Sequence, residues 1–253
     1  MTEENNNEIK TEKRNKEKRE FLSIVIAGCA LILSILSTAY TLYSNYAAEV
    51  RASKIETRQM IQRLSRLPIE HYELMAKYKY DPMAEMMTGL LQMENVLLAN
   101  HARELINSHP ESFTSFECIA TSSALKNAFL YEEAAELLKK GHQKAKGPAA
   151  KAYACKELAN FNFSRGDTSG GREYYKKMLQ VWSDSSDTIN PVIIADAKAH
   201  GLITWAGIEI ELNNFAYAKG LLDQAGELTS QLPNAAAINR KQQISSLRTK
   251  LQN

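Results

Sequence analysis

Little in this chain punctuates it. Among 253 residues only 11 are glycine and 6 are proline, and runs of Val, Ile and aromatics with period two are hard to find. That shortage excludes a strand-rich architecture. The prevailing Ala, Leu, Lys, Glu and Gln favour helix nearly throughout. Charge of one sign is also lacking: the net balance is +2, so nothing marks the whole chain as a nucleic-acid binder. Catalytic signatures are missing too. The histidines, His71, His101, His109, His142 and His200, form no HExxH and sit beside no cysteine pair with metal spacing. Gly170-Gly171 lacks the GK[ST] ending of a phosphate loop, and GxSxG does not occur. A lone Cys–His pair stays open. No enzyme activity, cofactor or metal is expected.

What the sequence does hold is, first, a stretch without charge. From Phe21 to Ala48 no residue is ionic, and the apolar heart, residues 21–43, is 23 residues long. At ~1.5 Å per residue it can cross a ~30 Å hydrocarbon layer with some tilt. A cleaved signal peptide would have a shorter apolar run, roughly 7–15 residues, so a retained anchor is expected. Tyr40, Tyr43 and Tyr46 suit the headgroup zone. Six Lys and Arg residues precede the span and four lie in the 20 residues after it, which points to an N-terminus inside and a C-terminal part outside. Ser23, Ala27, Ala30, Ser34, Ser37, Thr41, Ser44 and Ala48 recur every three or four residues. Small residues on one face let backbones approach closely. A self-associating anchor that forms a homo-oligomer, a partner-binding anchor, and a lone span with incidental small residues all fit.

Around the span, residues 1–20 form a polar tail with nothing to bury, expected to be disordered or a frayed helix. Residues 44–68 look like a juxtamembrane helix ended by Pro68. Asp81-Pro82 is a good helix start. After it Met83, Met86, Met87, Leu90, Met93 and Leu97 follow at helical spacing. A methionine-rich face can be an adaptable binding surface, but at this period inward packing is the expectation.

Beyond residue 110 a pattern returns three times: FLYEEAAELLKKG (129–141), RGDTSGGREYYKKM (165–178) and NNFAYAKGLLDQA (213–225). Ala134, Gly171 and Ala218 align, with Leu138, Tyr175 and Leu222 four residues on. A small residue and a large one a turn later share a helix face and let a neighbouring helix come close. Each stretch is preceded by another helix, 115–128, 152–165 and 199–212, carrying Ser122, Ala159 and Ala206 at equivalent places. The turns are FLY, GDT and NNF, short enough to make antiparallel hairpins. Cys118 and Cys155 fall in successive first helices; packed helices lie ~8–10 Å apart, beyond the ~7 Å limit for a disulfide, so no bond is expected.

These hairpins resemble the tetratricopeptide repeat. Ala134-x3-Leu138, Gly171-x3-Tyr175 and Ala218-x3-Leu222 match its second-helix pattern, and Cys155-x2-Leu158-Ala159 and Leu202-x2-Trp205-Ala206 are fair matches to its first. Cys118-x2-Thr121-Ser122 is a poor one. Leu125, Asn162 and Glu209 stand where the family has tyrosine, and the spacings of 37 and 47 residues exceed its period. The expected fold class is all-α: one transmembrane helix followed by an α-α superhelical stack. Residues 69–110 form a helical segment covering the stack, 111–233 the three hairpins, and 234–253 a C-terminal capping helix with Ile244, Leu247 and Leu251 on one side.

The resemblance implies a concave face lined by first helices that binds a peptide or another protein. Carried over, its lining is Phe116, Ile119, Ser123, Lys126 and Asn127, then Tyr153, Lys156, Asn160 and Phe163, then His200, Ile203, Gly207 and Ile210. Lys156 and Asn160 stand one turn apart as in members that hold a peptide carboxylate. The flanking units lack further basic groups, so a full clamp is not implied. The expectation is a membrane-anchored interaction scaffold or assembly factor, or else a permanent structural or regulatory subunit of a membrane complex. Its partners are another protein or peptide and, through the anchor, membrane lipid. A bacterial inner membrane is the expected setting.

Overall fold

The computed structural model describes residues 3–78 and 81–251, with side chains from residue 22 onward except at 24 and 82. No strand occurs among the described residues; nine α-helices and one 3-10 turn do. They are α1 (Glu3–Lys77), α2 (Pro82–Ser108), α3 (Ser115–Asn127), α4 (Tyr131–Lys144), α5 (Pro148–Ser164), α6 (Thr168–Ser183), α7 (Pro191–Glu211), α8 (Phe215–Thr229) and α9 (Asn234–Lys250), with the 3-10 turn at Pro110–Ser112. The chain divides into two compact units between Ile55 and Glu56.

The first unit is helix. Within α1 the segment from Val25 contains a window of mean hydropathy 2.0, none of it buried. It is the one helix among the described residues long and apolar enough to cross a bilayer. Ser23, Ala27, Ala30, Ser34 and Ser37 are all exposed along it. The Thr38 and Thr41 hydroxyls donate to the Ser34 and Ser37 carbonyls, each at 2.9 Å, so they are satisfied inside their own helix.

In the second unit, α1 does not end at Pro68 but runs on to Lys77. A proline inside a helix costs ~3 kcal/mol in lost hydrogen bonding and ring clash. Here Leu64 and Leu67 before it and Leu74 after it are all buried, and such burial is worth ~1.5–3 kcal/mol per side chain. Packing on both sides of Pro68 therefore outweighs the break. Arg63 adds a two-pronged bond to Glu94 of α2, at 2.7 and 3.0 Å, and also meets Glu70.

Helix α2 starts as its sequence implies, with Asp81 Oδ1 accepting from the Met83 amide at 2.8 Å and Pro82 in the first turn. Its methionine face differs from the expectation. Met83, Met86, Leu90, Met93 and Leu97 are more than half exposed, and Met87 is 43% exposed. The inward face is instead Ala84, Ala99, Ala102 and Ile106, all buried. Small side chains on that side let α2 sit close to its neighbours, which leaves the bulky row outside.

The three hairpins are α3–α4, α5–α6 and α7–α8. Ser115 Oγ donates to the Gly141 carbonyl at 2.6 Å, and Ser122 Oγ to the Ala134 carbonyl at 2.7 Å. The pair nearer the turn and the pair farther from it are in step, so α3 and α4 run antiparallel. Ala134, Gly171 and Ala218 are buried where each second helix meets its first. A Cβ at Gly171 would stand 2.5 Å from the Phe163 ring, closer than real contacts allow, which is why that position is bare. Helices α5 and α7 begin earlier than the repeat pattern suggests: Pro148 and Pro191 occupy their first turns, and Asn190 Oδ1 accepts from the Val192 amide at 2.9 Å. Part of each insertion thus lengthens a first helix.

Every hairpin turn has one residue in the left-handed region: Phe129 (φ 63°), Gly166 (φ 80°) and Asn213 (φ 60°). The next amide in each reaches back to the first helix: Leu130 to the Leu125 carbonyl, Asp167 to Asn162, Asn214 to Glu209, at 2.8–2.9 Å. This is the six-to-one closure that lets a helix reverse tightly. The core forms two main clusters, one through Leu125, Leu137 and Leu138, the other through Tyr175, Trp205, Leu222 and Ile244. Helix α9 packs on α7 and α8. Its Ile244 is buried, with Leu247 and Leu251 against the same cluster.

Candidate functional site

The residues carried over as groove lining fall into three neighbourhoods and a core. Phe116 of α3 is 54% exposed and lies 5.4 Å, ring to ring, from the exposed Tyr153 of α5. Lys156 Nζ stands 5.2 Å from the centre of the Tyr153 ring and 3.3 Å from Glu157. Burial raises the Tyr153 phenol, with the Glu157 charge adding to it. An open aromatic pair topped by a cation therefore joins two first helices.

His200 of α7 belongs to a second neighbourhood. Its Nδ1 is 3.2 Å from Arg240 of α9, whose guanidinium holds Asp196 at 2.8 and 3.1 Å. Burial lowers the His200 imidazole, and the Arg240 and Lys156 charges lower it further against Asp196. A hollow of ≈ 540 Å³ runs between α7 and α9, past His200, Ile203, Thr204 and Gly207 on one side and Gln243 on the other.

Ile119, Phe163 and Ile203 are buried and belong to the core clusters. The bare Gly141 and Gly171 on the facing helices are what draw Ile119 and Phe163 inward. Asn160 is committed as well: its Oδ1 accepts from the Tyr175 hydroxyl at 2.7 Å. Lys156 and Asn160 therefore do not form a free pair.

Lys126 and Asn127 lie elsewhere, at the end of α3, where they line the third neighbourhood. This is a cavity of ≈ 510 Å³ at the first hairpin turn. Leu67, Pro68 and His71 of α1 form one wall, Thr88, Leu91, Gln92 and Asn95 of α2 another, and Phe129, Tyr131 and Ser164 the rest. No carboxylate lines it among the described residues. Its charged member is Lys126, its amides are Gln92, Asn95 and Asn127, and its rings are Phe129 and Tyr131, 6.3 Å apart edge to face.

Phe129 is the unusual member. It occupies the left-handed position that Gly166 and Asn213 fill in the other two turns. A Cβ there crowds the following carbonyl at a cost of ~1–2 kcal/mol, which glycine escapes. A bulky residue in that region is an outlier, and such strain gathers at binding sites. Nothing in the fold recovers the cost through burial, because the ring is 64% exposed. Its position was readable: FLY, GDT and NNF set Phe129, Gly166 and Asn213 in one column.

Two buried polar groups have different roles. Glu209, fully buried, receives Arg172 at 2.7 Å on both oxygens, Trp205 Nε1 at 3.0 Å and Asn214 Nδ2 at 2.9 Å. Burial pushes its carboxyl up, but those hydrogen bonds and the Arg172 charge outweigh it and hold the group below its ordinary value. Trp205 in turn stacks on Tyr175, rings 5.2 Å apart. This network pins the second hairpin to the third. Cys155 Sγ lies 3.6 Å from His142 Nε2. Burial raises the thiol and lowers the imidazole. Both shifts favour the neutral forms, the opposite of what activates a nucleophilic cysteine. Cys118 and Cys155 are free thiols, each buried in a different cluster.

Neither a scan against protein-family models nor searches of curated proteins and of solved structures finds a match for this chain.

Proposed function

We propose that this is a single-pass membrane protein whose helical hairpins, similar to tetratricopeptide repeats, dock a segment of another protein. The charge-free stretch of α1 supports the anchor, and the bias of Lys and Arg before it supports an N-terminus in the cytoplasm. A bacterial inner membrane with the hairpins in the periplasm fits that orientation. Small side chains between paired helices and three short reversing turns support the repeat reading.

The observation that carries the docking role is Phe129, an aromatic kept exposed in a strained conformation at the rim of a cavity. The lining selects chemistry. Leu67, Leu91, Phe129 and Tyr131 accept an apolar or aromatic side chain, three amides can bond an extended backbone, and Lys126 without a lining carboxylate favours a neighbouring acidic group. The partner is therefore a peptide segment pairing a large apolar residue with an acid. The open Phe116–Tyr153–Lys156 patch offers a second point of contact along the first helices.

Affinity purification of the full chain from membranes in mild detergent, read by mass spectrometry, tests this. Phe129→Gly relieves the backbone and should raise thermal stability while lowering partner recovery at least tenfold; Lys126→Glu should lower recovery without a stability change. Undiminished recovery with both variants overturns the cavity as the docking site. Recovery in a fixed ratio that withstands high salt identifies a permanent subunit; release by salt identifies an adaptor.

A further inference from the structure

Few side chains hold the last helix to the body. Of α9 only Ala237 and Ile244 are buried, with Leu247 and Leu251 half-buried against the second core cluster. No side chain caps its first turn, and no acid stands there. Its attachment to α7 leans on Arg240, whose side chain is 16% exposed. That guanidinium donates to the two Asp196 oxygens at 2.8 and 3.1 Å, to His200 Nδ1 at 3.2 Å and to Gln243 at 3.2 Å. Arginine carries donors and no acceptor. The Nδ1 that receives it is therefore unprotonated, and the contact belongs to the neutral imidazole alone. His200 is exposed and lines the hollow between α7 and α9, so a proton reaches the ring without any unfolding.

We propose that His200 is an acid-sensitive latch: its neutral imidazole helps to hold Arg240 and so docks α9, and protonation at Nδ1 releases the helix. Protonation acts in two ways. It removes an acceptor and sets a second cation 3.2 Å from Arg240. The imidazolium, one turn beyond Asp196 on α7, also becomes a rival donor to the carboxylate that Arg240 needs. The charged groups facing the ring are Arg240 from α9, Lys156 from α5 and Asp196 from α7 itself, two cations against one anion. Glu157 stands behind Lys156 and is paired with it at 3.3 Å. Burial and the two cations hold the imidazole below its ordinary value. A histidine held low by the fold gives stabilisation that is complete above the unfolded value of ~6.5 and is lost as pH falls through the lower folded value. The release thus begins below pH ~6.5, ahead of the carboxylates, whose ordinary values lie near ~4. It widens the hollow past Ile203 and Gly207 and bares the seat of Ile244 in the second core cluster.

Hydrogen exchange of the full chain in detergent, read by mass spectrometry and corrected for the intrinsic pH dependence of exchange, tests the latch. On going from about pH 7.5 to about pH 5.5, peptides from 234–250 should exchange at least threefold faster, and peptides from α3 and α4 should not change. His200→Asn keeps a carbonyl acceptor near the place of Nδ1 and cannot take up a proton, so α9 should stay protected at both pH values. His200→Lys should open α9 already at pH 7.5, and Arg240→Gln should open it there and abolish the acid response, each with α3 and α4 still protected. The proposal is overturned if wild-type α9 does not respond to acid, if the whole body loosens with it, or if His200→Asn or Arg240→Gln keeps a response as large as that of the wild type.

Discussion

The first and third hairpins share one plan and settle two equivalent positions in opposite ways. Where the first has Leu125, buried among leucines, the third has Glu209, equally buried and bound by three donors. Where the third turns on Asn213, a residue that tolerates the left-handed region, the first turns on Phe129. The third hairpin spends its unusual residue inside, where a satisfied carboxylate fixes one packing of α7 on α6. The first keeps an ordinary core and places its costly residue outside, over a cavity. The interior oddity thus serves assembly, and the exterior one is left to the docking role proposed above.

Removing the interior oddity should have the largest effect. Glu209→Ala leaves Arg172, Trp205 and Asn214 without their acceptor, and losing one member of a buried ion pair costs about 3–5 kcal/mol. Leu125→Ala, at the equivalent place, should cost about 2–5 kcal/mol through a cavity alone. Urea midpoints of the full chain in detergent would rank them. The mechanisms separate with pH. Because the folded state holds the Glu209 carboxyl low, its stabilisation is fully present above the unfolded carboxylate value of ~4.3 and is lost as pH falls through the lower folded value. Glu209→Gln should therefore flatten part of the wild-type loss of melting temperature on acidification, and Leu125→Ala should leave that slope unchanged.

Smaller effects sharpen the contrast. Gly171→Ala forces the Phe163 ring aside and should cost about 1–3 kcal/mol, seen as a lower urea midpoint with no change in partner recovery. Exchanging the turn residues should move stability least and most informatively. Phe129→Gly should gain about 1 kcal/mol and Asn213→Phe lose about the same, both read by thermal melting. A loss on Phe129→Gly would mean that the ring supports the fold.

Much of this contrast was written in the sequence. Ala134, Gly171 and Ala218 report the close helix pairs because only a small or absent side chain permits them, and Ile244, Leu247 and Leu251 report the packed side of α9. Periodicity, however, gives a stripe and not its direction. On α2 the bulky stripe has the pattern of an inner face, while Ala84, Ala99 and Ala102 do that job by being small. Pro68 reads as an end because its local cost is visible in sequence, whereas the burial of Leu64, Leu67 and Leu74 that overrides it depends on neighbours distant in the chain. For the same reason the resemblance puts Ile119, Phe163 and Ile203 on a groove although they lie in the core, and the spacing of Lys156 and Asn160 does not reveal that Tyr175 donates to Asn160.

The composition of the outward row on α2 has one further chemical consequence. Met83, Met86 and Met93 present thioether sulfurs to solvent on a face without charge. Peroxide transfers one oxygen atom to each and is itself reduced to water, leaving a polar, chiral sulfoxide in place of an apolar side chain. A surface built this way can be made water-loving and then restored by enzymatic reduction, with the backbone untouched, which leucine in the same places would not permit.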